Sequence, residues 1–222
     1  MIQDFKRVIN AFEETTKNHM LTVLVDSDVN RIMRFGHKDG SSVLCVKVMQ
    51  TEGEIAYVGD MGDFCFSNHN ADMLAWFKGN TSLQYINEKC RAGNTEEYDE
   101  KKARQWVEAD VLDYCEQNFN DYIDGDEVKD EEYQAKKLAW IDSLTEDVIS
   151  EIDFENEYTF HSSINDLEIN INKWMAYTVY DVHDLINSKQ YTHSFVWCVL
   201  AMNKIAELYF SGDYISEVPD DV

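Results

Sequence analysis

Basic side chains are scarce in this chain. Its 222 residues include 19 Lys and Arg against 43 Asp and Glu, which gives a formal net charge of −24 at pH 7. A nucleic-acid-binding protein needs several cations on one face to neutralise phosphates, and anionic membranes attract basic segments. We therefore expect no direct contact with nucleic acid or membrane. The composition favours cations, basic protein surfaces and other proteins as partners.

Long apolar runs and paired cysteines are also missing. The longest apolar stretch, Phe195–Met202, falls well short of the ~18 residues that a membrane span needs. The N-terminus lacks the apolar run of a signal peptide. No two of the five cysteines have C-x-x-C spacing, which predicts reduced, buried thiols in a cytoplasmic protein. The cysteines are Cys45, Cys65, Cys90, Cys115 and Cys198.

Signatures of catalysis and of metal binding are absent as well. The chain has no nucleophile elbow, phosphate-binding loop, dinucleotide fingerprint or H-E-x-x-H motif. A calcium loop read from Asp121 fails because Ile123 takes a ligand position and Asp126 takes the glycine position. His183 does not share a helical face with Asp181 and Asp184. We predict a non-enzymatic protein with no cofactor and no metal, although a Cys–His pair that meets only in space leaves an enzyme as a third possibility.

What the sequence does contain indicates an α+β fold. Ile2, Phe5, Ile9 and Phe12 recur at helical spacing and predict an amphipathic first helix. Five short runs rich in β-branched and aromatic residues follow, separated by short connections that favour antiparallel pairing. We predict a five-stranded antiparallel meander with the first helix on one face. The five runs are Leu21–Val25, Arg31–Phe35, Ser42–Val48, Glu54–Val58 and Asp63–Phe66.

Residues 91–222 are predicted to be mainly helical and to pack against the sheet region of residues 1–90. Apolar residues at helical spacing predict one long helix over Glu97–Asp121. Thr145 is the expected N-cap of a helix over Glu146–Ile152. Residues 154–171 fit either strands or a helix, and Phe195–Tyr209 predicts a central, buried helix.

The two halves differ sharply in charge. Residues 1–90 carry 12 acidic and 9 basic side chains, whereas residues 91–222 carry 31 and 10. A compact body of that second length is roughly 36 Å across, and a DNA duplex of the same length carries about 21 phosphate charges. The acids are therefore candidates for a binding surface, although a role in solubility alone stays open. The candidate partner-binding residues are Glu108, Asp113, Glu116, Asp121, Asp124 and Asp126.

Two segments carry a family resemblance. The stretch GEIAYVGDMGDFCFS (Gly53–Ser67), followed by Asp72–Phe77, resembles a G-D-M-G hairpin motif of uncharacterised accessory proteins of tailed bacteriophages and prophages. Tyr191–Tyr209 is similar to the Trp-containing helix that ends those proteins. The likeness covers about half of the chain and brings no catalytic residues with it. It implies a virus-derived accessory protein that acts in the cytoplasm of a bacterial host.

Charge and resemblance together predict an inhibitor. A phage counter-defence protein of the anti-CRISPR or anti-restriction type would present its acids as a DNA mimic to a host complex with a basic nucleic-acid-binding surface. The alternative is a non-enzymatic phage interaction or regulatory module whose acidity only serves solubility, in which the apolar surface of the meander or a homo-oligomeric interface does the binding.

Overall fold

The structure is a computed structural model that describes residues 5–79, 81–123, 130–165, 167–179 and 188–218. The chain divides into two compact units. Unit 1 comprises residues 1–96 and 191–222, and unit 2 comprises residues 97–190. This division differs from the predicted boundary at residue 90, because the C-terminal segment belongs with the sheet and not with the acidic helices.

In its described residues, unit 1 combines a sheet with four helices. Its helices are α1 (Lys6–Thr16), α2 (Met73–Lys78), α3 (Leu83–Lys89) and α7 (His193–Ser211). Its sheet strands are β1 (His19–Ser27), β2 (Asn30–His37), β3 (Val46–Thr51), β4 (Glu54–Gly59), β5 (Gly62–Ser67), β6 (Cys90–Ala92) and β11 (Ile215–Ser216).

The sheet corrects the predicted five-stranded antiparallel meander. It has seven strands in the order β11-β1-β2-β3-β4-β5-β6. Strands β1 to β6 pair antiparallel, but β11 pairs parallel to β1, so the sheet is mixed. The two edge strands have two and three residues, too few for an alternation of apolar and polar residues to identify them from sequence.

The core of unit 1 lies between one face of this sheet and α7. Alternate residues of β3 and β4, such as Val48 and Tyr57, are fully buried, as the two-residue period of a strand requires. Helix α7 buries nine side chains and ends at Gly212, whose φ of 77° is left-handed and therefore suits glycine. The predicted buried helix is confirmed in this position.

Unit 2 is built around a pair of long helices. Its helices are α4 (Glu100–Tyr122), α5 (Asp130–Glu151) and α6 (Glu157–Asn165), and its hairpin strands are β8 (Glu168–Asn172) and β9 (Met175–Thr178). The short strands β7 (Glu96–Tyr98) and β10 (Lys189–Tyr191), where the chain passes between the units, pair with each other.

One local prediction in unit 2 needs correction, and one stretch that the sequence left open is resolved. Thr145 does not begin a helix, because α5 runs through it with a continuous apolar row that includes Trp140, Leu144 and Val148. Within the ambiguous residues 154–171, the stretch around Phe160 is helical and Glu168–Asn172 is a strand. In α5, burial of the apolar row decides the structure over the local helix-start signal.

Candidate acidic interface

Helix α4 carries four of the six predicted binding residues on its exposed sides. Its N-cap Asp99 accepts hydrogen bonds from the backbone N–H groups of Lys101 and Lys102. Its buried residues recur every four positions and form a single row against the rest of unit 2: Ala103, Val107, Val111, Cys115 and Phe119. The predicted residues Glu108, Asp113, Glu116 and Asp121 are all exposed. Asp124 and Asp126 lie outside the described residues.

The four acids do not share one side of the helix. At 100° per residue, Glu108 and Glu116 lie on a flank of the buried row, whereas Asp113 and Asp121 lie opposite it. Within each pair the residues are eight positions apart, about 12 Å along the axis. That spacing exceeds the Debye length of about 8 Å at physiological salt, so the members of a pair interact weakly.

Some of the α4 acids are already matched by the chain's own cations. Lys137 Nζ lies 3.6 Å from Glu116 Oε1, and Arg104 Nε lies 2.8 Å from Glu100 Oε1. In the part of the chain that the structure describes, Glu108, Asp113 and Asp121 have no ion-pair partner. The accessible negative charge of α4 is therefore smaller than its count of acids.

A denser group of acids lies farther along the chain. Residues 138–172 contain nine acidic side chains and no Lys or Arg. We call residues 142–157 the acidic segment; its members are Asp142, Glu146, Asp147, Glu151, Asp153, Glu155 and Glu157. The first six are exposed. The absence of Lys and Arg from residues 138–172 is the sequence signal that marks this segment, whereas helical periodicity marks α4.

Polar caps hold the turn of the acidic segment between α5 and α6. Asn156 Oδ1 accepts hydrogen bonds from the N–H groups of Tyr158 and Thr159, and Ser163 Oγ accepts one from the N–H of Asp153. Phe154 is buried beneath this turn and stacks on Phe160 at 5.4 Å between ring centroids. The backbone is thereby fixed while the neighbouring carboxylates stay in solvent.

Lysine partners are few around the acidic segment. Glu157 is its only member with an ion pair among the described residues, 2.6 Å from Lys189 Nζ and 3.8 Å from His161 Nε2. The other six acids have no ion pair among the described residues, although the Arg104 guanidinium lies 4.1 Å from the ring centroid of Phe154 within the segment. They form the largest unmatched group of carboxylates in the described part of unit 2.

One α4 acid has a structural role that the sequence did not indicate. The Tyr177 hydroxyl donates a 2.6 Å hydrogen bond to Asp110 Oδ2 and so fixes β9 against α4. Burial raises the pKa of Tyr177 above its ordinary value, and the neighbouring Asp110 raises it further. The hydroxyl therefore stays protonated and continues to donate.

Unit 1 contains a separate ionic cluster that is internally satisfied. The Arg31 guanidinium, 7% exposed, donates to Asp72 Oδ1 at 2.7 Å and to the Tyr209 hydroxyl at 3.0 Å. Tyr209 donates in turn to Asp26, and Gln50 donates to Asp72. Burial alone would raise the pKa of Asp72, but the hydrogen bonds, that from Arg31 first, hold it below its ordinary value.

This cluster joins β1, β2, β3, α2 and α7 within unit 1. Asp72 is also the N-cap of α2 and accepts from the Ala75 N–H. Because each charged group already has its partner inside the cluster, its arrangement indicates a structural role.

No helix among the described residues is long and apolar enough to cross a membrane, and no three His, Cys, Asp or Glu side chains in those residues are grouped as a metal site requires. Comparison of the chain with protein-family models, with curated proteins and with solved structures gave no match.

Proposed function

We propose that this protein is a non-enzymatic, phage-derived inhibitor that binds a basic nucleic-acid-binding surface of a host complex and competes with DNA for it. The anti-CRISPR or anti-restriction type is the class that this mechanism fits. The supporting observation is the concentration of exposed, unmatched carboxylates in unit 2. That unit has a net charge of −17 in 94 residues, against −7 in the 128 residues of unit 1.

Charge density decides which part of unit 2 can act as the mimic. Helix α4 has a net charge of −3 over about 35 Å, whereas a duplex of that length carries about 20 phosphates. A single helix is therefore too weakly charged. A compact body of 94 residues is roughly 32 Å across, and a duplex of that length carries about 19 charges. The whole unit comes close to this density, with the acidic segment as its strongest part.

The test compares equal charge changes in the two units. In one variant the acidic segment is neutralised by Asp142→Asn, Glu146→Gln, Asp147→Asn and Glu151→Gln. The control neutralises four exposed acids of unit 1, by Glu13→Gln, Glu52→Gln, Glu88→Gln and Glu217→Gln. A third variant carries Glu108→Gln, Asp113→Asn, Glu116→Gln and Asp121→Asn.

The measurement is binding of a labelled duplex by the complex that the protein captures from a bacterial host, at 50 and 200 mM salt. We expect the segment variant to lose more than tenfold in inhibition and the unit 1 control to lose little. The α4 variant should fall between them. Inhibition that is the same at both salt concentrations, and is unchanged when the acidic segment is neutralised, would refute mimicry. A protein that competes with DNA phosphates for a basic surface must lose affinity as the salt concentration rises.

A different observation favours the alternative, an interaction module. The face of the sheet that points away from α7, here called the outer face, carries a continuous row of cross-strand neighbours: Val25, Ile32, Met49, Ala56, Cys65 and Ala92. Val25, Ile32 and Met49 are 38–45% exposed. A contiguous apolar patch of this kind marks an interaction surface.

Charges beside the row support a second copy of this chain as the partner in this alternative. Arg34 and Lys47 lie directly opposite each other on β2 and β3, an unfavourable arrangement for like charges. Neither has a carboxylate partner among the described residues. On the other side of the row, Glu54 is exposed and also points outward. A two-fold axis along the row would place Lys47 against Glu54 of the partner subunit.

The available area fits a weak dimer. Six strands that lie about 4.8 Å apart and are about 20 Å long give the outer face an area on the order of 600 Å² per copy. A standard protein–protein interface buries about 800 Å² per partner. Lys47→Glu or Glu54→Lys alone should weaken the dimer, and the double variant should restore it, measured by sedimentation equilibrium. A monomer at every concentration, or a double variant as weak as either single one, would rule out this dimer.

A further inference from the structure

A second feature of unit 2 is a groove between the C-terminal part of α4 and the β8–β9 hairpin. Its volume is about 1040 Å³, comparable to the upper range of small-ligand sites. The side chains that matter for its chemistry are Gln117, Asp121, Tyr122, Asn172 and Trp174. No Lys, Arg or His is among the described residues that line it.

The walls of the groove are held by contacts within unit 2. The Tyr114 hydroxyl donates to the Ala176 carbonyl at 3.0 Å, which ties β9 to α4. Tyr122 stacks on Trp140 with ring centroids 4.4 Å apart and an angle of 4° between the planes. Asn172 Oδ1 accepts a 2.8 Å hydrogen bond from the Trp174 N–H and so fixes the hairpin tip. The groove is therefore formed before any ligand arrives.

Trp174 is the most exposed large apolar side chain described, at 86%. Its ring already attracts a cation, because Lys173 Nζ lies 4.8 Å from the ring centroid. Tryptophan is the aromatic side chain that binds cations best, through the negative face of its ring. An exposed ring beside a preformed groove offers such a face to a partner.

The residues that line the groove favour a positively charged ligand. The described residues that line the groove include no cationic side chain to neutralise a phosphate or carboxylate, and the neighbouring Lys173 lies against the Trp174 ring. The groove offers instead one carboxylate, Asp121, that has no ion pair among the described residues, together with amide oxygens and aromatic faces. The charge of −17 on unit 2 adds a long-range attraction for cations.

We infer that this groove binds an arginine side chain of the partner protein, with the guanidinium stacked on Trp174 and hydrogen-bonded to Asp121. Arginine fits better than lysine because its planar group stacks on aromatic rings and pairs with a carboxylate through two N–H donors. The inference rests on the proposed function, since it assigns one contact of the basic surface that unit 2 would occupy.

The experiment titrates the full chain with tetra-arginine and with tetra-lysine, two probes of equal charge, and follows binding by calorimetry. The variants are Trp174→Ala and Asp121→Asn. The matched control is Asp113→Asn, which removes the same charge from the same exposed side of α4 but lies outside the groove. Because all three positions are on the surface, the variants should fold, which circular dichroism checks.

We expect tetra-arginine to bind more tightly than tetra-lysine. Trp174→Ala and Asp121→Asn should each weaken tetra-arginine binding by about two- to fivefold, as an exposed cation–π contact or surface ion pair does. Asp113→Asn should have almost no effect. Equal losses for Asp113→Asn and Asp121→Asn would show diffuse attraction only, and an uncharged oligosaccharide that binds as well as tetra-arginine would assign the groove to another ligand class; either result overturns the inference.

The two proposals fail separately. If the segment variant loses competition with DNA while Trp174→Ala and Asp121→Asn keep full affinity for tetra-arginine, the arginine site is wrong and the proposed function survives. If those two variants lose affinity for tetra-arginine but no host complex is inhibited, the groove is a guanidinium site and the proposed function is wrong.

Discussion

Unit 1 and unit 2 reach a packed core by different routes. Unit 1 buries a sheet face under the nearly all-apolar α7, and its described residues confine their buried charges to one cluster around Arg31. Unit 2 buries two i, i+4 rows on α4 and α5 and leaves an excess of carboxylates in solvent. The interactions within unit 1 are therefore mainly stabilising, whereas unit 2 contains carboxylates that repel one another.

That difference bears on function because excess like charge destabilises a compact state. Unit 2 keeps a net charge of −17 although its helices would pack with fewer acids on their exposed sides. Unit 1 matches its buried charges within the chain. A surface that is left unmatched at a cost in stability is the better candidate for binding.

The largest expected effect is on the cohesion of unit 1. Arg31→Met keeps an unbranched apolar side chain in place of the aliphatic part of Arg31 but leaves Asp72 and Asp26 without their cation. Removal of one partner from a buried ionic cluster costs about 3–5 kcal/mol of unfolding free energy. Urea denaturation of the full chain, together with hydrogen exchange of the β2–β4 amides, measures this loss. A loss under about 1 kcal/mol, typical of exposed pairs, would contradict the structural role of the cluster.

The second prediction uses one buried tyrosine in each unit. Tyr57 and Tyr177 are both fully buried, but only Tyr177 donates to a carboxylate; the Tyr57 hydroxyl has no partner among the described residues. Tyr177→Phe should therefore cost about 1.5–3 kcal/mol, and Tyr57→Phe should be neutral or stabilising. Urea denaturation of both variants measures these changes in unfolding free energy.

The stability of the two tyrosine variants should also differ from that of the unmodified protein at alkaline pH. Burial raises the pKa of both hydroxyls above 10, so their contribution to stability is complete below pH ~10 and is lost as the pH rises toward their folded values. Each Phe variant should reduce the loss of stability above pH ~10. An unchanged alkaline profile in both variants would show that neither hydroxyl governs it.

Much of this fold can be predicted from the sequence. The elements that cannot be predicted depend on contacts with other elements of the chain. The five runs from Leu21 to Phe66 predict five real strands because their alternation is long enough to identify the buried face. Strands β6 and β11 are too short for that and exist through pairing with their neighbours. Local signals for a helix start, such as Thr145, are overridden where an apolar row continues.

The candidate site was predicted only in part for a related reason. Exposure of the α4 acids follows from helical spacing, but the Glu116–Lys137 pair depends on how α5 packs. The groove beside Trp174 likewise depends on contacts between residues far apart in sequence, such as Tyr114 and Ala176. Periodicity predicts which side of one helix is exposed, and it carries no information on what another element brings to that side.

Acid pH should affect the ionic cluster of unit 1 before it affects its apolar core. The pKa of Asp72 is held below its ordinary value, so its stabilisation is present above the unfolded pKa near 3.9 and is lost as the pH falls through the folded value. Asp72→Asn retains an N-cap side chain for α2 and should make the unfolding free energy fall less steeply as the pH is lowered. Urea denaturation between pH 6 and pH 3 measures this dependence. An equally steep profile in the variant would assign the acid loss to other carboxylates.

The smallest expected effect tests the charge contrast itself. Raising the salt concentration from 0.01 M to 0.1 M shortens the Debye length from about 30 to about 10 Å, which screens repulsion among exposed acids. Hydrogen exchange of the α4 and α5 amides should therefore slow by about two- to fivefold, less than 1 kcal/mol, while the β2–β4 amides change little. Faster exchange in α4 and α5 at higher salt would mean that ion pairs such as Glu100–Arg104 outweigh the repulsion. Unit 2 would then be a salt-bridged body whose acids are already matched, and the charge argument for binding would lose its basis.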